Sequence, residues 1–219
     1  EHVTARMGQA GIRVLKCGEA HEVGDVDMVL ALGGDGTVLR ALSRYPGIPI
    51  CAVNYGNVGF LTQSERGNLD GLLERLITSD YFIEERLSLE VSFRGRAMRS
   101  INELVVKGTH QMVEIEIRLN EQLVHTPRGD GVIIGTPTGS TAYLLSTGAP
   151  LIVPDVDCMA VKPLNEYRIS SRMVIVPGDT HIRLTVKPGA GSNVSMSIDG
   201  GAVEEVEEGE SIEVVRSEV

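Results

Sequence analysis

The chain has 219 residues, 42% of them hydrophobic, so it is long enough to bury one large core or two small ones. Its 20 Lys and Arg against 30 Asp and Glu give a formal net charge of −10, which excludes a broad surface for nucleic acid or anionic lipid. The apolar stretches fall far short of the roughly 20 residues of a membrane span, and three widely spaced cysteines exclude a disulfide framework. These features predict a globular protein of the cytoplasm with no membrane and no nucleic-acid partner.

The first third of the chain alternates short apolar runs with helical patterns. Runs at 12–15, 27–32 and 48–53 have the length of strands, and a helix is predicted at 37–43. This alternation is typical of βαβ units with a mostly parallel sheet. Four leucines at 69–76 then follow at helical spacing and predict a helix that faces the core.

From about residue 82 the hydrophobic period changes from helical to alternating. Val113, Ile115, Ile117 and Leu119 alternate with charged residues, which predicts a half-buried antiparallel strand, and Asn120-Glu121 begins a turn. Further runs of strand length, separated by turn residues, lie at 174–176, 182–186, 194–198 and 211–215. We therefore place the domain boundary at 85–95 and expect an α/β domain at 1–90 and a β-rich domain at 91–219.

The first segment that suggests chemistry is GGDGT at 33–37, between a strand and a helix. Glycines at a helix N-terminus expose backbone N–H groups beside the positive end of the helix dipole, which suits a phosphate. Asp35 would be unfavourable in an anion site unless it accepts a proton or acts through Mg²⁺. The pattern is neither a P-loop nor GxGxxG. Alternatively, Asp35 is a turn residue that caps the helix through Thr37.

The second segment is GDGVIIGTPTGSTAY at 129–143. Glycines and small hydroxyl residues after a strand offer many short hydrogen-bonding groups, and Tyr143 offers a flat face, so the segment suits a polar, flat ligand. Alternatively, it is a tight loop before a short helix capped by Ser140 or Thr141.

The third segment is Asn102-Glu103, which interrupts the strand-like stretch 100–106. Either one of these side chains points to a site and the other to solvent, or both lie at a bulge. This signal is weak when taken alone.

Taken together in this order, GGDGT, NYGNVGFLT at 54–62, Asn102-Glu103 and GDGVIIGTPTGSTAY resemble the NAD kinase family, which phosphorylates NAD to NADP. The resemblance covers about residues 25–200. It implies an α/β N-terminal domain with a mostly parallel sheet and an all-β, β-sandwich-like C-terminal domain. It also implies a nucleotide site between them that a neighbouring subunit completes, in a homodimer or homotetramer. The substrates would be NAD and ATP or polyphosphate, and Mg²⁺ or another divalent metal would enter with the ATP.

The resemblance further implies roles for individual residues. Asp35 matches the family's catalytic aspartate, which takes the proton from the 2′-hydroxyl of the adenosine ribose, and Arg128 matches a position linked to preference for NAD over NADH. The residues that would contact phosphates are Gly33, Gly34, Gly36, Thr37 and Arg40. The residues that would bind NAD are Asp35, Gly36, Asn54, Phe60, Asn102, Glu103, Arg128, Asp130, Thr138, Thr141, Ala142, Tyr143 and Ser146. The stretch SIDG at 197–200 fits a turn of the family and fits a plain hairpin turn equally well.

Two other functions are compatible with parts of the sequence. Lipid kinases of the diacylglycerol and sphingosine type share the GGDGT loop, but they would continue with a PxGxxNDFAR-like stretch where this chain has NYGNVGFLTQS. A non-catalytic dinucleotide sensor on the same fold is the other alternative. Retention of Asp35 in an intact glycine loop argues against a sensor, which would bind NAD without turning it over.

Overall fold

The computed structural model describes residues 1–17, 26–56, 59–168, 172–189 and 193–218. The chain divides into two compact units, Glu1–Glu85 and Arg86–Val219. Asn57 and Val58, in the middle of the NYGNVGFLT segment, lie outside the described residues. Within the described parts, no helix is long and apolar enough to cross a membrane.

The first unit is built around a parallel sheet that has three strands in its described residues. The strands are β1 (Val29–Leu32), β2 (Ile50–Asn54) and β3 (Ser64–Glu65), in the order β1-β2-β3. The helices are α1 (His2–Gln9), α2 (Asp35–Arg44) and α3 (Leu69–Ile77). A small apolar core joins the sheet to α2 and contains Ala31, Val38, Ala52 and Leu61. The predicted parallel sheet of the N-terminal part is therefore confirmed.

The two helix predictions and one strand prediction in this unit have different outcomes. The leucine helix is present as α3, with Leu73 fully buried, and the helix predicted at 37–43 is present as α2. The strand predicted at 12–15 is wrong, because residues 12–16 belong to no strand and Ile12 is 36% exposed. Strands of a parallel sheet are usually buried on both faces, and none of residues 12–15 is fully buried.

The second unit consists of antiparallel strands in two sheets. The strands are β4 (Leu89–Phe93), β5 (Arg96–Ser100), β6 (Glu103–Gly108), β7 (Val113–Leu119), β8 (Gln122–His125), β9 (Arg128–Gly129), β10 (Gly131–Gly135), β11 (Cys158–Leu164), β12 (Val174–Pro177), β13 (Ile182–Val186), β14 (Val194–Ile198), β15 (Val203–Val206) and β16 (Ser211–Arg216). A short helix, α4 (Tyr143–Ser146), follows β10. Over the described residues, one sheet has the order β12-β11-β10-β6-β14-β15 and the other β5-β4-β16-β13-β7-β8, with β9 beside β7.

The two sheets of this unit share one hydrophobic core. Leu104 and Ile134 of the first sheet and Leu89 and Leu184 of the second belong to the same buried cluster. Alternation along β7 is as predicted, with Val113, Ile115 and Ile117 buried. The predicted turn after β7 is also present, with Asn120 and Glu121 at φ of +47° and +67°, the left-handed geometry of tight hairpins. The C-terminal part is thus the expected antiparallel β domain.

The register of the first sheet gathers three strand ends at one edge. Gly135 at the end of β10 lies opposite Glu103 at the start of β6, and Ile198 at the end of β14 lies opposite Leu104. The predicted interruption of the strand-like stretch 100–106 is present, because β5 ends at Ser100 and the chain bends through residues 101 and 102 before β6 begins. Asn102 therefore lies in the bend and Glu103 is the first residue of β6, beside the ends of β10 and β14. We call residues 101–103 the Asn102-Glu103 turn.

Candidate active site

The GGDGT segment forms the connection from β1 to α2, and α2 begins at Asp35 rather than at Thr37. The N–H of Gly33 donates to the carbonyl of Val53 at 2.9 Å, which holds the start of the loop against β2. A Cβ on Gly33 would lie 2.3 Å from Thr37 Oγ1, whereas a Cβ on Gly34 would meet nothing within 4 Å. The loop is thus closely packed on one side and open on the other, at the end of a helix whose first N–H groups have no intrahelical acceptor.

The carboxylate of Asp35 is held by the backbone of the loop that follows β2. Its Oδ2 accepts the N–H of Phe60 at 3.0 Å, and its Oδ1 accepts the N–H of Leu61 at 3.1 Å. The alternative in which Asp35 caps the helix through Thr37 is therefore wrong. Each carboxylate oxygen keeps a second lone pair, so the group can still accept a proton. A Cβ on Gly59 would come within 2.4 Å of Asp35 Oδ1, which explains the glycine at that position.

The other candidate residues of the first unit lie around the same helix end. Thr37 Oγ1 accepts a hydrogen bond from Arg40 Nη2 at 3.1 Å, so this guanidinium lies within the first turns of α2. Asn54 ends β2, the parallel neighbour of β1, and its Oδ1 accepts the N–H of Gly56 at 2.9 Å. The ring of Phe60 is 59% exposed. Carboxyl ends of adjacent parallel strands form the usual ligand-binding edge of an α/β sheet, and these residues lie at that edge.

In the second unit, Glu103 is the candidate residue whose pKa is shifted most. Its side chain is 5% exposed and accepts the backbone N–H of Tyr143, while its Oε2 is buried without a hydrogen-bond partner in the described part of the chain. Burial raises the pKa of Glu103 to about 7, and the nearby charge of Asp199 adds to this effect, against the smaller opposing influence of the Tyr143 N–H. A buried carboxylate with one unpartnered oxygen is typical of a ligand-binding position.

The raised pKa predicts that Glu103 makes folding depend on pH. Between pH 4.5, where this carboxyl ionises in the unfolded chain, and pH 7, the native state holds one proton more, so stability falls as pH rises and levels off above 7. We expect Glu103→Gln, which keeps an acceptor for Tyr143, to be more stable than the parent at pH 8 by roughly 2–3 kcal/mol and equal to it near pH 4.5. Urea unfolding at both pH values, with the exposed Glu114→Gln as control, measures the difference, and a constant difference at the two pH values would contradict the assignment.

The segment after β10 is fixed mainly by its own hydroxyl groups. Thr136 Oγ1 donates to the carbonyl of Ile101 at 2.6 Å, and the N–H of Thr136 donates to the carbonyl of Asn102 at 2.9 Å. Thr141 Oγ1 donates to the carbonyl of Thr138 at 3.0 Å, and Ser140 Oγ accepts the N–H of Ile152 at 2.9 Å. The predicted cap by Ser140 or Thr141 is therefore wrong, since α4 begins after Ala142 without a side-chain cap.

A polar cleft of about 790 Å³ lies in the second unit beside α4. Three candidate residues line it, namely Asp130, Tyr143 and Ser146, together with the basic residues Lys107, His110, Lys162 and Arg168. Tyr143 is 40% exposed, so part of its ring is accessible. The candidates that do not line this cleft are Asn102, Glu103, Arg128, Thr138, Thr141 and Ala142; Arg128 is exposed on β9 and Thr138 is buried.

Asp199 lies in the SIDG turn, for which the sequence indicated no contact, yet its carboxylate is among the most connected groups of the second unit. Its Oδ1 accepts the hydroxyl of Ser100 at 2.8 Å and the N–H groups of Asn102 and Glu103 at 2.7 and 3.1 Å. Its Oδ2 accepts the N–H of Ile101 at 2.8 Å. An Asp-Gly pair after a strand signals only a turn, so no local pattern could have revealed these partners.

Comparison with known proteins gives consistent matches along the chain. The sequence model of the ATP-NAD kinase N-terminal domain matches residues 2–81, and that of the C-terminal domain matches residues 101–219. A NAD kinase of Symbiobacterium thermophilum is 40% identical over 205 residues, which are 90% of this chain and 72% of that protein.

Two solved structures share the fold at 25% sequence identity. A NAD kinase from Archaeoglobus fulgidus in complex with ATP superimposes with a TM-score of 0.84, covering 99% of this chain and 85% of that one. Yeast NADH kinase complexed with NADH superimposes with a TM-score of 0.82, covering 90% of this chain and 61% of that one.

These matches define the class of protein as a phosphotransferase. The chain belongs to the NAD kinase family, so its activity is the phosphorylation of NAD. The alternatives of a GGDGT-type lipid kinase and of a non-catalytic sensor are not supported.

Proposed function

We propose that the chain transfers the terminal phosphate of ATP to the 2′-hydroxyl of the adenosine ribose of NAD, giving NADP, with Asp35 as the base. The observation that carries this proposal is the position of Asp35 in the first turn of α2. The N–H groups of Phe60 and Leu61 orient its carboxylate. The Archaeoglobus relative that binds ATP supports this nucleotide as the donor.

The chemistry needs a base and a place for the phosphates. A ribose hydroxyl is a poor nucleophile at neutral pH, so proton transfer to a positioned carboxylate speeds its attack on the terminal phosphorus. The open side of Gly34, the N-terminus of α2 and the guanidinium of Arg40 provide positive potential for the phosphates, and Gly36 and Thr37 continue this surface.

Magnesium belongs to this proposal as part of the ATP substrate. In the described ranges, no three His, Cys, Asp or Glu side chains gather as a set that could hold a metal ion. Magnesium normally keeps several waters and binds through substrate phosphates rather than through a protein cage. Magnesium-bound ATP is therefore the donor we propose.

The second set of candidate residues would hold the dinucleotide. Asn102 and Glu103 carry polar groups at the start of β6, and Tyr143, which is 40% exposed, offers the flat face of its ring to the cleft. We assign the remaining contacts to Asp130, Thr138, Thr141, Ala142 and Ser146, with Asn54 and Phe60 on the adenine side and Arg128 in the choice between NAD and NADH.

We further propose that the protein is a homodimer or homotetramer in which a neighbouring subunit contributes to the site. Exposed apolar side chains support this proposal, because Leu151 and Val153 are 64% and 63% exposed and Val174 and Ile175 are exposed on the edge strand β12. Sedimentation velocity should give a mass two or four times the 23.6 kDa of the chain. A particle of monomer mass that phosphorylates NAD at full rate would contradict the shared site.

The activity is tested by NADP formation from NAD with Mg²⁺ and ATP. Parallel reactions contain polyphosphate in place of ATP and NADH in place of NAD, so the donor and the acceptor are each tested. We expect turnover with ATP and NAD. Bound NAD with no product from either donor would contradict the proposal.

A further inference from the structure

The turn after β14 presents a carboxylate to the start of β6. Asp199 adopts a φ of +49°, in the left-handed region, and its own N–H donates to the carbonyl of Glu103 at 3.0 Å. Its carboxylate accepts four hydrogen bonds at 2.7–3.1 Å, from the hydroxyl of Ser100 and from three successive backbone N–H groups. Three consecutive amides that converge on one carboxylate leave the turn little freedom to change conformation.

A second strand end holds the same turn from the other side. Thr136, directly after β10, donates its hydroxyl to the carbonyl of Ile101 and its N–H to the carbonyl of Asn102. The N–H groups of the turn are thus bound by Asp199 and its carbonyls by Thr136. The conformation of this turn is therefore set by the residues that follow β14 and β10 as well as by its own sequence.

From this geometry we infer that Asp199 is a positioning residue that fixes the Asn102-Glu103 turn in the conformation that binds NAD. The inference rests on the proposed role of Asn102 and Glu103 in holding the dinucleotide. Asp199 acts through the turn, because its carboxylate accepts the backbone N–H groups of residues 101–103.

A carboxylate is required for this function. Asp199 has two oxygens that both accept and no donor, whereas the amide of asparagine would face at least one of the four donors with its own NH₂ group. Asparagine tolerates the left-handed backbone as well as aspartate does, so Asp199→Asn replaces one of the two acceptor oxygens with a donor without adding backbone strain.

The test compares steady-state kinetics of the full chain and its variants with NAD varied at saturating magnesium-bound ATP. We expect Asp199→Asn to raise KM for NAD about tenfold and to change kcat less than twofold, because the turn contributes binding and no proton transfer. Ser100→Ala removes only one of the four donors, and we expect it to raise KM about threefold. Hydrogen exchange at the amides of Ile101 and Asn102 should become faster in Asp199→Asn.

A stability control separates positioning from a general loss of packing. Ile182→Val removes one methyl group from the shared core on β13 and should lower stability without changing KM for NAD. The inference would be overturned if KM for NAD were unchanged in both Ser100→Ala and a folded Asp199→Asn. It would also be overturned if Ile182→Val raised KM for NAD as much as Asp199→Asn does. If Asp199→Asn does not fold, Ser100→Ala alone decides.

Asn102→Ala distinguishes failure of this inference from failure of the proposed function. A rise in KM for NAD in Asn102→Ala with none in the Asp199 and Ser100 variants would overturn only the role of Asp199. No rise in Asn102→Ala would overturn the proposed role of the turn itself.

Discussion

Replacing Asp35 with asparagine should lower kcat for NADP formation by about 100-fold or more while the Kd for NAD changes only a few-fold. The substitution removes the carboxylate that we propose as the acceptor of the ribose proton, and the side chain keeps its size. One amide oxygen can still accept the N–H of Phe60 or Leu61, whereas the NH₂ group cannot accept the other. Single-turnover kinetics for the rate and calorimetric titration for NAD binding measure the two quantities separately.

Asp70→Asn is the matched control for this experiment. Asp70 also lies in the first turn of a helix, α3, and its side chain is exposed. The same change of charge at an equivalent helical position should leave kcat unaltered. Equal rates in the parent and in Asp35→Asn would show that Asp35 is not the base.

Replacing Gly139 with alanine should both destabilise the second unit and weaken NAD binding. A Cβ at this position would lie 2.0 Å from the carbonyl oxygen of Asn102 and 2.6 Å from its carbonyl carbon. Because the obstacle is backbone, no side-chain rotation relieves the overlap, and the Asn102-Glu103 turn must move. We expect a loss of about 3 kcal/mol in the free energy of unfolding and a rise in KM for NAD of at least about tenfold.

Gly67→Ala provides the same substitution without the obstacle. A Cβ on Gly67 would meet nothing within 4 Å, so this variant should keep the stability and KM of the parent. Urea unfolding and NAD titrations of the two variants side by side measure the difference. If Gly139→Ala had the same stability and KM as Gly67→Ala, the Asn102-Glu103 turn would not be held against the segment after β10.

Local patterns predicted the fold well where burial alone decides the structure. The alternation along β7 and the leucine spacing of α3 both report which face of an element is buried, and both elements are present. The run at 12–15 has the same apolar character but no buried position, so it forms no strand. An apolar run of this length shows a tendency to form a strand, whereas pairing depends on neighbours distant in sequence.

The candidate site was predictable in its parts and not in its connections. The glycines around Asp35 indicated an anion site at a helix N-terminus, but only the structure shows the carboxylate held by Phe60 and Leu61, 25 and 26 positions later in the chain. The polar pair Asn102-Glu103 indicated an interruption of a strand-like stretch, but not the conformation of the Asn102-Glu103 turn. Its N–H groups bond to Asp199, nearly a hundred residues further on, and no periodicity in the sequence records such a partner.

The closure of the Asn102-Glu103 turn by Asp199 links the two ends of a long stretch of chain. Ser100 and Asp199 are 99 positions apart, and β14 pairs with β6 across a similar separation. Such contacts form late, because closing a long loop costs conformational entropy before the contacts contribute any stability. During synthesis the turn therefore leaves the ribosome well before the carboxylate that shapes it. If the turn binds NAD as we propose, the chain can bind NAD only after β14 has joined the sheet. NAD added during refolding should stabilise the completed domain and no earlier intermediate.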